Sequence, residues 1–107
     1  METVLPGVFR ADDSLYTENA APGTTVYGED VVTEQGVEYR QWDPHRSKAA
    51  AALTKDLESF PLERDADVLY LGASTGTTVS HVADIAAEGM VYAVEYAPAV
   101  ARQLLGL

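Results

Sequence analysis

The stretch that decides the fold reads Asp67-Val68-Leu69-Tyr70-Leu71-Gly72-Ala73-Ser74-Thr75-Gly76-Thr77-Thr78. Its apolar run, 68–71, is typical of a buried strand, and the small residues and two glycines after it are typical of a tight loop. The next apolar residues follow the spacing of one helix face: Val79, Val82, Ala83 and Ala86. The stretch therefore predicts a strand, a loop and a helix, which form the first half of a βαβ unit.

A second apolar run, 91–94, predicts the next strand and ends at Glu95. An acidic side chain at this point can accept hydrogen bonds from both hydroxyls of a ribose. The loop spacing, Gly72-x-x-x-Gly76, differs from the dinucleotide fingerprint, and no Lys-Ser/Thr pair of a phosphate-binding loop follows it. The pattern suits a nucleoside cofactor without a pyrophosphate, such as S-adenosylmethionine. A glycine turn in an α/β protein without such a ligand stays an alternative.

The composition is strongly acidic, with a formal charge of −10 and 17 acidic against 7 basic residues in a chain of 107. An acid-rich, lysine-poor chain resembles salt-adapted archaeal proteins, although an ordinary acidic cytosolic protein would also fit. Cysteine is absent, and His45 and His81 are far apart in sequence, so we predict no metal site. No apolar run approaches the ~18–20 residues of a membrane span, and no signal-peptide pattern is present, so we expect a cytoplasmic protein with no membrane contact.

Residues 1–44 predict an N-terminal domain rich in β-hairpins. Strands are expected at 8–10, 15–17, 31–33 and 37–42, and residues 34–36 predict a three-residue hairpin loop with Gly36 in the left-handed conformation. Four aromatic residues accompany these strands: Tyr16, Tyr27, Tyr39 and Trp42. We interpret them as the padding of a small β core; base stacking is the functional alternative.

Residues 45–107 predict the start of an α/β domain. Pro44 ends the preceding strand, and the Ala/Leu-rich segment predicts a helix over 45–57. Its buried face is expected to comprise Ala49, Leu53, Leu57 and Phe60. Four of the seven basic residues lie between Arg46 and Arg64. Arg46 and Lys48 are therefore candidates for phosphate contacts or catalysis, against the alternative of a solvated helix end.

Several motifs together resemble archaeal fibrillarin, from about residue 7 onward. They are Tyr27-Gly28-Glu29, Gly36-Val37-Glu38-Tyr39-Arg40-x-Trp42, Asp43-Pro44-x-Arg46-Ser47-Lys48, the loop and helix over 68–84, and Val91-Tyr92-Ala93-Val94-Glu95. That family methylates the 2′-oxygen of RNA ribose with S-adenosylmethionine, inside box C/D guide ribonucleoproteins. A generic methyltransferase would share only the glycine loop and the acid, so the Arg-Ser-Lys segment makes the resemblance specific.

The resemblance implies a role for each matching residue. Four residues would line the methionine end of the cofactor: Gly72, Ala73, Thr77 and Thr78. Glu95 would bind the ribose hydroxyls, and Tyr96 would stack near the adenine. Lys48 matches the first catalytic lysine of the family, and Arg46 stays a candidate RNA contact. Lys48 would either stabilise the developing 2′-oxyanion as an ammonium or remove the proton as a neutral base, and the sequence leaves both roles open.

The resemblance also implies a larger assembly. Its partners would be box C/D guide RNA, target rRNA or tRNA, a Nop-domain scaffold and a kink-turn-binding ribosomal-type protein. The expected fold is α/β: a small N-terminal β-rich domain, then the first βαβ unit of a truncated Rossmann-like methyltransferase sheet.

A parallel sheet needs both faces covered, so we expect apolar residues of the two strands to be poorly buried: Leu69, Leu71, Val91 and Ala93. We expect an N-terminal fragment that is inactive by itself. The alternatives are another Rossmann-like S-adenosylmethionine methyltransferase, acting on a small molecule or a protein, and a non-catalytic fragment that docks a partner.

Overall fold

The computed structural model describes residues 1–55 and 60–106, and it is a mixed α/β structure. The elements in chain order are β1 (Glu2–Leu5), β2 (Val8–Ala11), β3 (Ser14–Glu18), β4 (Val31–Glu34), β5 (Val37–Trp42), α1 (Lys48–Thr54), β6 (Val68–Leu71), α2 (Thr77–Ile85), β7 (Val91–Val94) and α3 (Pro98–Leu104). The expected order, strands first and then alternating helices and strands, is confirmed. Among the described residues, no helix is both long and apolar enough to cross a membrane.

The first five strands form one antiparallel sheet in the order β1-β2-β3-β5-β4. β1 was not predicted from the sequence. The predicted three-residue hairpin loop was wrong by one residue, because Glu34 pairs with Val37 and leaves a two-residue loop. Gln35 and Gly36 both have positive φ, 52° and 80°, as a type I′ turn requires. This turn has the twist of the flanking strands, which explains why the shorter loop is favoured.

β6 and β7 form a separate parallel pair, and α2 connects them. The predicted βαβ unit is therefore confirmed. Side chains on one face of the pair are exposed: Leu69 at 65%, Leu71 at 72%, Tyr92 at 58% and Val94 at 50%. Poor burial of Leu69 and Leu71 is confirmed. In β7 the same expectation is confirmed for Ala93, which is exposed, and wrong for Val91, which is half-buried. The large exposed side chains of this strand are Tyr92 and Val94. The parallel register pairs Leu69 with Tyr92 and Leu71 with Val94, which puts these four on one face.

The core is shared by the first sheet and the two helices that follow it. It comprises Val8, Leu15, Trp42, Ala50, Leu53 and Ile85. Tyr16 and Trp42 are buried, as expected for core padding, and Tyr39 contacts the ring of Phe9 edge-on at 5.2 Å. α1 thus lies on the β-rich part of the chain and is held there by Ala50 and Leu53.

The helix predicted over 45–57 is shorter in the structure. Pro44, His45 and Arg46 form a turn, and α1 begins at Lys48 because the Ser47 side chain caps its N-terminus. It ends at Thr54. Of its expected buried face, Leu53 is buried, whereas Ala49 and Phe60 are partly buried against the core; Leu57 lies outside the described residues.

Candidate functional site

The loop between β6 and α2 is built at the carboxyl ends of the two parallel strands. The backbone N–H groups of Gly72 and Ala73 both donate to the carbonyl of Val94, each at 2.9 Å. Gly76 precedes α2 with φ of 102°, which a residue with a Cβ rarely adopts, and Ser74 also has positive φ. In open α/β sheets, ligands bind at this edge, beyond the carboxyl ends of the strands.

Glu95 fixes this loop. Its carboxylate accepts hydrogen bonds from the backbone N–H of Ser74 at 2.8 Å and of Ala97 at 2.9 Å. The backbone N–H groups of Ala97 and Ser74 hold the pKa of Glu95 below its ordinary value, so it is ionised at neutral pH. A carboxylate has about four acceptor positions. Those that the two amides leave can accept the hydroxyls of a ligand.

A cavity of about 490 Å³ lies against the loop. Its lining comprises Arg46, Lys48, Ala49, Tyr70, Gly72, Ala73, Ser74, Thr75, Thr77 and Thr78. The predicted residues Gly72, Ala73, Thr77 and Thr78 therefore share one cavity with Arg46 and Lys48. This volume is in the range of small-molecule sites. Glu95 and Tyr96 are not part of the lining, and Tyr96 is 98% exposed beside Glu95.

The two basic residues of the cavity lie on either side of a capping serine. Ser47 accepts a hydrogen bond from the backbone N–H of Ala50, and Lys48 is the first residue of α1. The Arg46 guanidinium lies 5.7 Å from the centre of the Tyr27 ring and 4.0 Å from the Asp43 carboxylate. Both cationic side chains are exposed, so they can reach a phosphate or a hydroxyl of a substrate.

Sequence reasoning missed a buried polar cluster behind the site, centred on His81. The Nδ1 atom of His81 lies 2.7 Å from Oγ1 of Thr17, and its Nε2 atom lies 2.7 Å from the Tyr27 hydroxyl. Its ring stacks on that of Trp42, with centroids 5.1 Å apart. Burial, together with the charge of Arg40, lowers the pKa of His81 to about 3, so the ring is neutral at physiological pH.

Arg40 is the charged centre of the same cluster. Its guanidinium contacts Glu29 at 2.6 Å, Asp84 at 3.1 Å and the Ser80 hydroxyl at 2.8 Å. Burial raises the pKa of Asp84. Burial acts to raise the pKa of Glu29 too, but hydrogen bonds from backbone N–H groups and from Arg40 lower it overall.

The hydrogen bonds and ion pairs of this polar cluster join α2 to β3 and β5. They thereby hold in place the helix that follows the loop after β6. The signal in the sequence was the polar group Ser80, His81 and Asp84, which a helical spacing places near one another.

Comparison with known families identifies the chain. The family model described as Fibrillarin matches residues 2–107. The chain belongs to the fibrillarin family. A fibrillarin-like rRNA/tRNA 2′-O-methyltransferase of Methanothermobacter thermautotrophicus is 52% identical over 103 residues, which cover 96% of this chain and 46% of that protein.

Solved fibrillarin structures have the same fold. Aeropyrum pernix fibrillarin, in complex with natively bound S-adenosyl-L-methionine, superposes with a TM-score of 0.85 at 45% identity, over 92% of this chain and 45% of its own. A fibrillarin/Nop5p complex superposes with a TM-score of 0.80 at 44% identity, over 94% of this chain and 45% of the matched chain. The chain thus spans less than half the length of the relatives that it matches.

Proposed function

We propose that this fibrillarin-family chain supplies the cofactor loop and the first catalytic lysine of an S-adenosylmethionine-dependent RNA 2′-O-methyltransferase. The observation that carries the proposal is the single cavity shared by Lys48, Arg46 and the loop from Gly72 to Thr78. A methyltransferase needs its cofactor and a group that acts on the acceptor hydroxyl in the same cavity, and these residues provide both.

The residues around the loop fit S-adenosylmethionine. The ionised Glu95 has acceptor positions left for the two ribose hydroxyls, and its negative charge suits a cationic sulfonium ligand. The glycine-rich loop allows close approach to the backbone at Gly72 and Ala73, with Thr77 and Thr78 beside them. Tyr96, exposed next to Glu95, is free to stack on an adenine. When bound, the cofactor supplies an electrophilic methyl group.

Lys48 would act on the 2′-hydroxyl of the RNA. As an ammonium it would stabilise the developing oxyanion while a water molecule takes the hydroxyl proton. As a neutral amine it would accept that proton itself, while the C–O bond forms and the methyl–sulfur bond breaks. Arg46 would hold a neighbouring phosphate, for which a guanidinium provides a bidentate fork.

The proposal also includes the ribonucleoprotein assembly in which the chain would act. A chain with a formal charge of −10 is poorly suited to hold RNA alone. We propose that a Nop-domain scaffold and a kink-turn-binding protein hold the box C/D guide RNA and present the target rRNA or tRNA. A cytoplasmic location and adaptation to high salt, which would screen the acidic surface, are further parts of this proposal.

Cofactor binding is the first test. The protein to use is an extended protein, in which the 107 residues are followed by the part of the Methanothermobacter relative that lies beyond the matched region. We expect calorimetric titration to show binding of S-adenosylmethionine, and Glu95→Gln to weaken it about tenfold to a hundredfold, because the hydrogen bonds to a charged acceptor are lost. Glu88→Gln, at an exposed carboxylate that pairs with Arg64, is the matched control.

Methyl transfer to a guide-selected RNA is the second test, with the scaffold and the kink-turn-binding protein present. Lys48→Ala is expected to abolish most of the transfer and to leave cofactor affinity nearly unchanged. Lys55→Ala, at the other end of α1, is the control with the same change of charge. Full activity of Lys48→Ala and Arg46→Ala would instead favour a methyltransferase with a different acceptor. Cofactor-independent binding to the scaffold, with no methyl transfer, would favour a docking fragment.

A further inference from the structure

One hydrogen bond joins the loop region to the helix that carries Lys48. The Thr78 hydroxyl, in the first turn of α2, donates to the Ser47 hydroxyl at 2.9 Å. Ser47 is 4% exposed and is not part of the cavity lining. The same Ser47 oxygen also accepts from the backbone N–H of Ala50 at 3.3 Å and so caps α1. Ser47 therefore links the start of α1 to the start of α2.

α1 depends on such contacts for its position. With seven residues, it is too short to be stable without packing. Ala49, Ala50 and Leu53 pack the helix on the core, and the Ser47 side chain joins the N-terminus of the helix to α2. Lys48 follows Ser47 directly, so a shift of the cap moves the backbone of Lys48 relative to the loop.

We propose that Ser47 is a positioning residue: its hydrogen bond with Thr78 sets the distance between Lys48 and the cofactor loop. The inference rests on the proposed function and deepens it. It also assigns a second role to Thr78, whose hydroxyl hydrogen is committed to Ser47, so that only its acceptor positions remain for a ligand. A small displacement of a reacting group is enough to cost up to about a hundredfold in rate.

The test compares two variants of Thr78 in the extended protein. Thr78→Val keeps the shape of the side chain and removes the hydroxyl, whereas Thr78→Ser keeps the hydroxyl. We expect Thr78→Val and Ser47→Ala each to lower kcat about tenfold or more, and Ser47→Ala, which lies outside the cavity lining, to keep the Kd of S-adenosylmethionine within about threefold of wild type. Thr78→Ser should lower kcat less than Thr78→Val, because it keeps the hydroxyl that donates to Ser47. The double variant Ser47→Ala/Thr78→Val should be slowed less than the product of the two single effects, because both changes remove the hydrogen bond between Thr78 and Ser47.

Amide hydrogen exchange gives a readout that does not need methyl transfer. Ala50 and Ala51 donate to the Ser47 side chain and carbonyl, and we expect their amides to exchange faster in Thr78→Val. Thr54→Val removes a hydroxyl at the other end of α1 and is expected to change neither these amides nor kcat.

Unchanged kcat in Thr78→Val, or fully additive effects in the double variant, would overturn the positioning role in an active enzyme. A wild-type extended protein that binds the cofactor but methylates no RNA would overturn the proposed function instead. In that case, unchanged exchange at Ala50 and Ala51 in Thr78→Val would also reject the link between the two helices.

Discussion

The two sheets of this chain differ in how completely they are covered. The five-stranded sheet lies on α1 and α2 and contributes Val8, Leu15 and Trp42 to a closed core. The β6–β7 pair leaves Leu69, Leu71, Tyr92 and Val94 exposed on one face. The ion pairs of the two regions also differ in burial. The contacts of Arg40 with Glu29 and Asp84, between the first sheet and the residues packed on it, are buried, whereas the ion pair Arg64–Glu88 near β7 is exposed.

The difference is that α1 and α2 cover one face of the first sheet, whereas one face of β6–β7 is uncovered among the described residues. A parallel sheet normally has both faces covered, and the exposed face of β6–β7 is apolar where a covering layer would lie. The N-terminal sheet needs no such layer, since α1 and α2 supply it. We call the first sheet with α1 and α2 the closed region, and the β6–β7 pair the open region. α1, which carries Lys48, and α2, which follows the loop, both belong to the closed region.

The largest expected effect comes from breaking the charged cluster of the closed region. Arg40→Ala would leave the Glu29 and Asp84 carboxylates buried without their cation, and we expect it to lower the free energy of unfolding by about 3–5 kcal/mol. Urea unfolding of the extended protein measures this change. Arg64→Ala breaks an exposed ion pair and is expected to cost less than about 1 kcal/mol. Equal losses of unfolding free energy in Arg40→Ala and Arg64→Ala would contradict the difference in burial between the two sets of ion pairs.

A smaller loss of unfolding free energy is expected when a leucine is replaced, and the chain offers one leucine in each region for the comparison. Leu53 is 1% exposed in the closed core, so Leu53→Ala is expected to cost about 2–5 kcal/mol of unfolding free energy. Leu69 is exposed, and in the chain alone Leu69→Ala should cost less than about 0.5 kcal/mol.

In the extended protein, we expect the cost of Leu69→Ala to rise toward that of Leu53→Ala, because a covering layer would bury it. Urea unfolding of both proteins provides the comparison. A cost for Leu69→Ala that is the same with and without the extension would argue that this face stays open.

The parts of the fold that were predicted from the sequence are those with a local pattern. The apolar run 68–71, the helix spacing after Gly76 and the apolar run ending at Glu95 each specify an element, and parallel pairing follows from a crossover helix. The missed elements lack such a pattern. β1 is a four-residue strand that is defined by its pairing with β2. Gln35 has positive φ, although glutamine is not among the residue types that usually adopt it.

The candidate site also has parts that a local sequence pattern predicts and parts that no local pattern predicts. The loop and Glu95 were predicted because strand ends and glycines mark them, and Lys48 because basic residues are concentrated in its segment. The resemblance to fibrillarin then implied the catalytic role of Lys48. The cluster around His81 was missed because its contacts join residues far apart in sequence, as Thr17 and His81 are. The link from Thr78 to Ser47 was missed for the same reason, because no local spacing indicates which hydroxyl a helix cap will contact.

The smallest expected effect is the pH dependence that His81 gives the closed region. The pKa of His81 is about 3 in the folded chain, against 6.5 for an ordinary histidine. Below pH 6.5 the unfolded chain therefore takes up a proton that the folded chain excludes, and stability is lost as the pH falls. Between pH 8 and pH 5 this amounts to about 2 kcal/mol of unfolding free energy. His81→Gln should remove this part of the pH dependence.

Urea unfolding at several pH values measures the effect, and His45→Gln, at an exposed histidine, is the matched control variant. Asp84 acts in the opposite direction, because its raised pKa lets the folded chain bind a proton more readily than the unfolded one. Both variants keep Asp84, so their difference isolates His81. If His81→Gln kept the wild-type pH dependence, the folded chain would not exclude a proton from His81, and the ring would not be held buried in its neutral form.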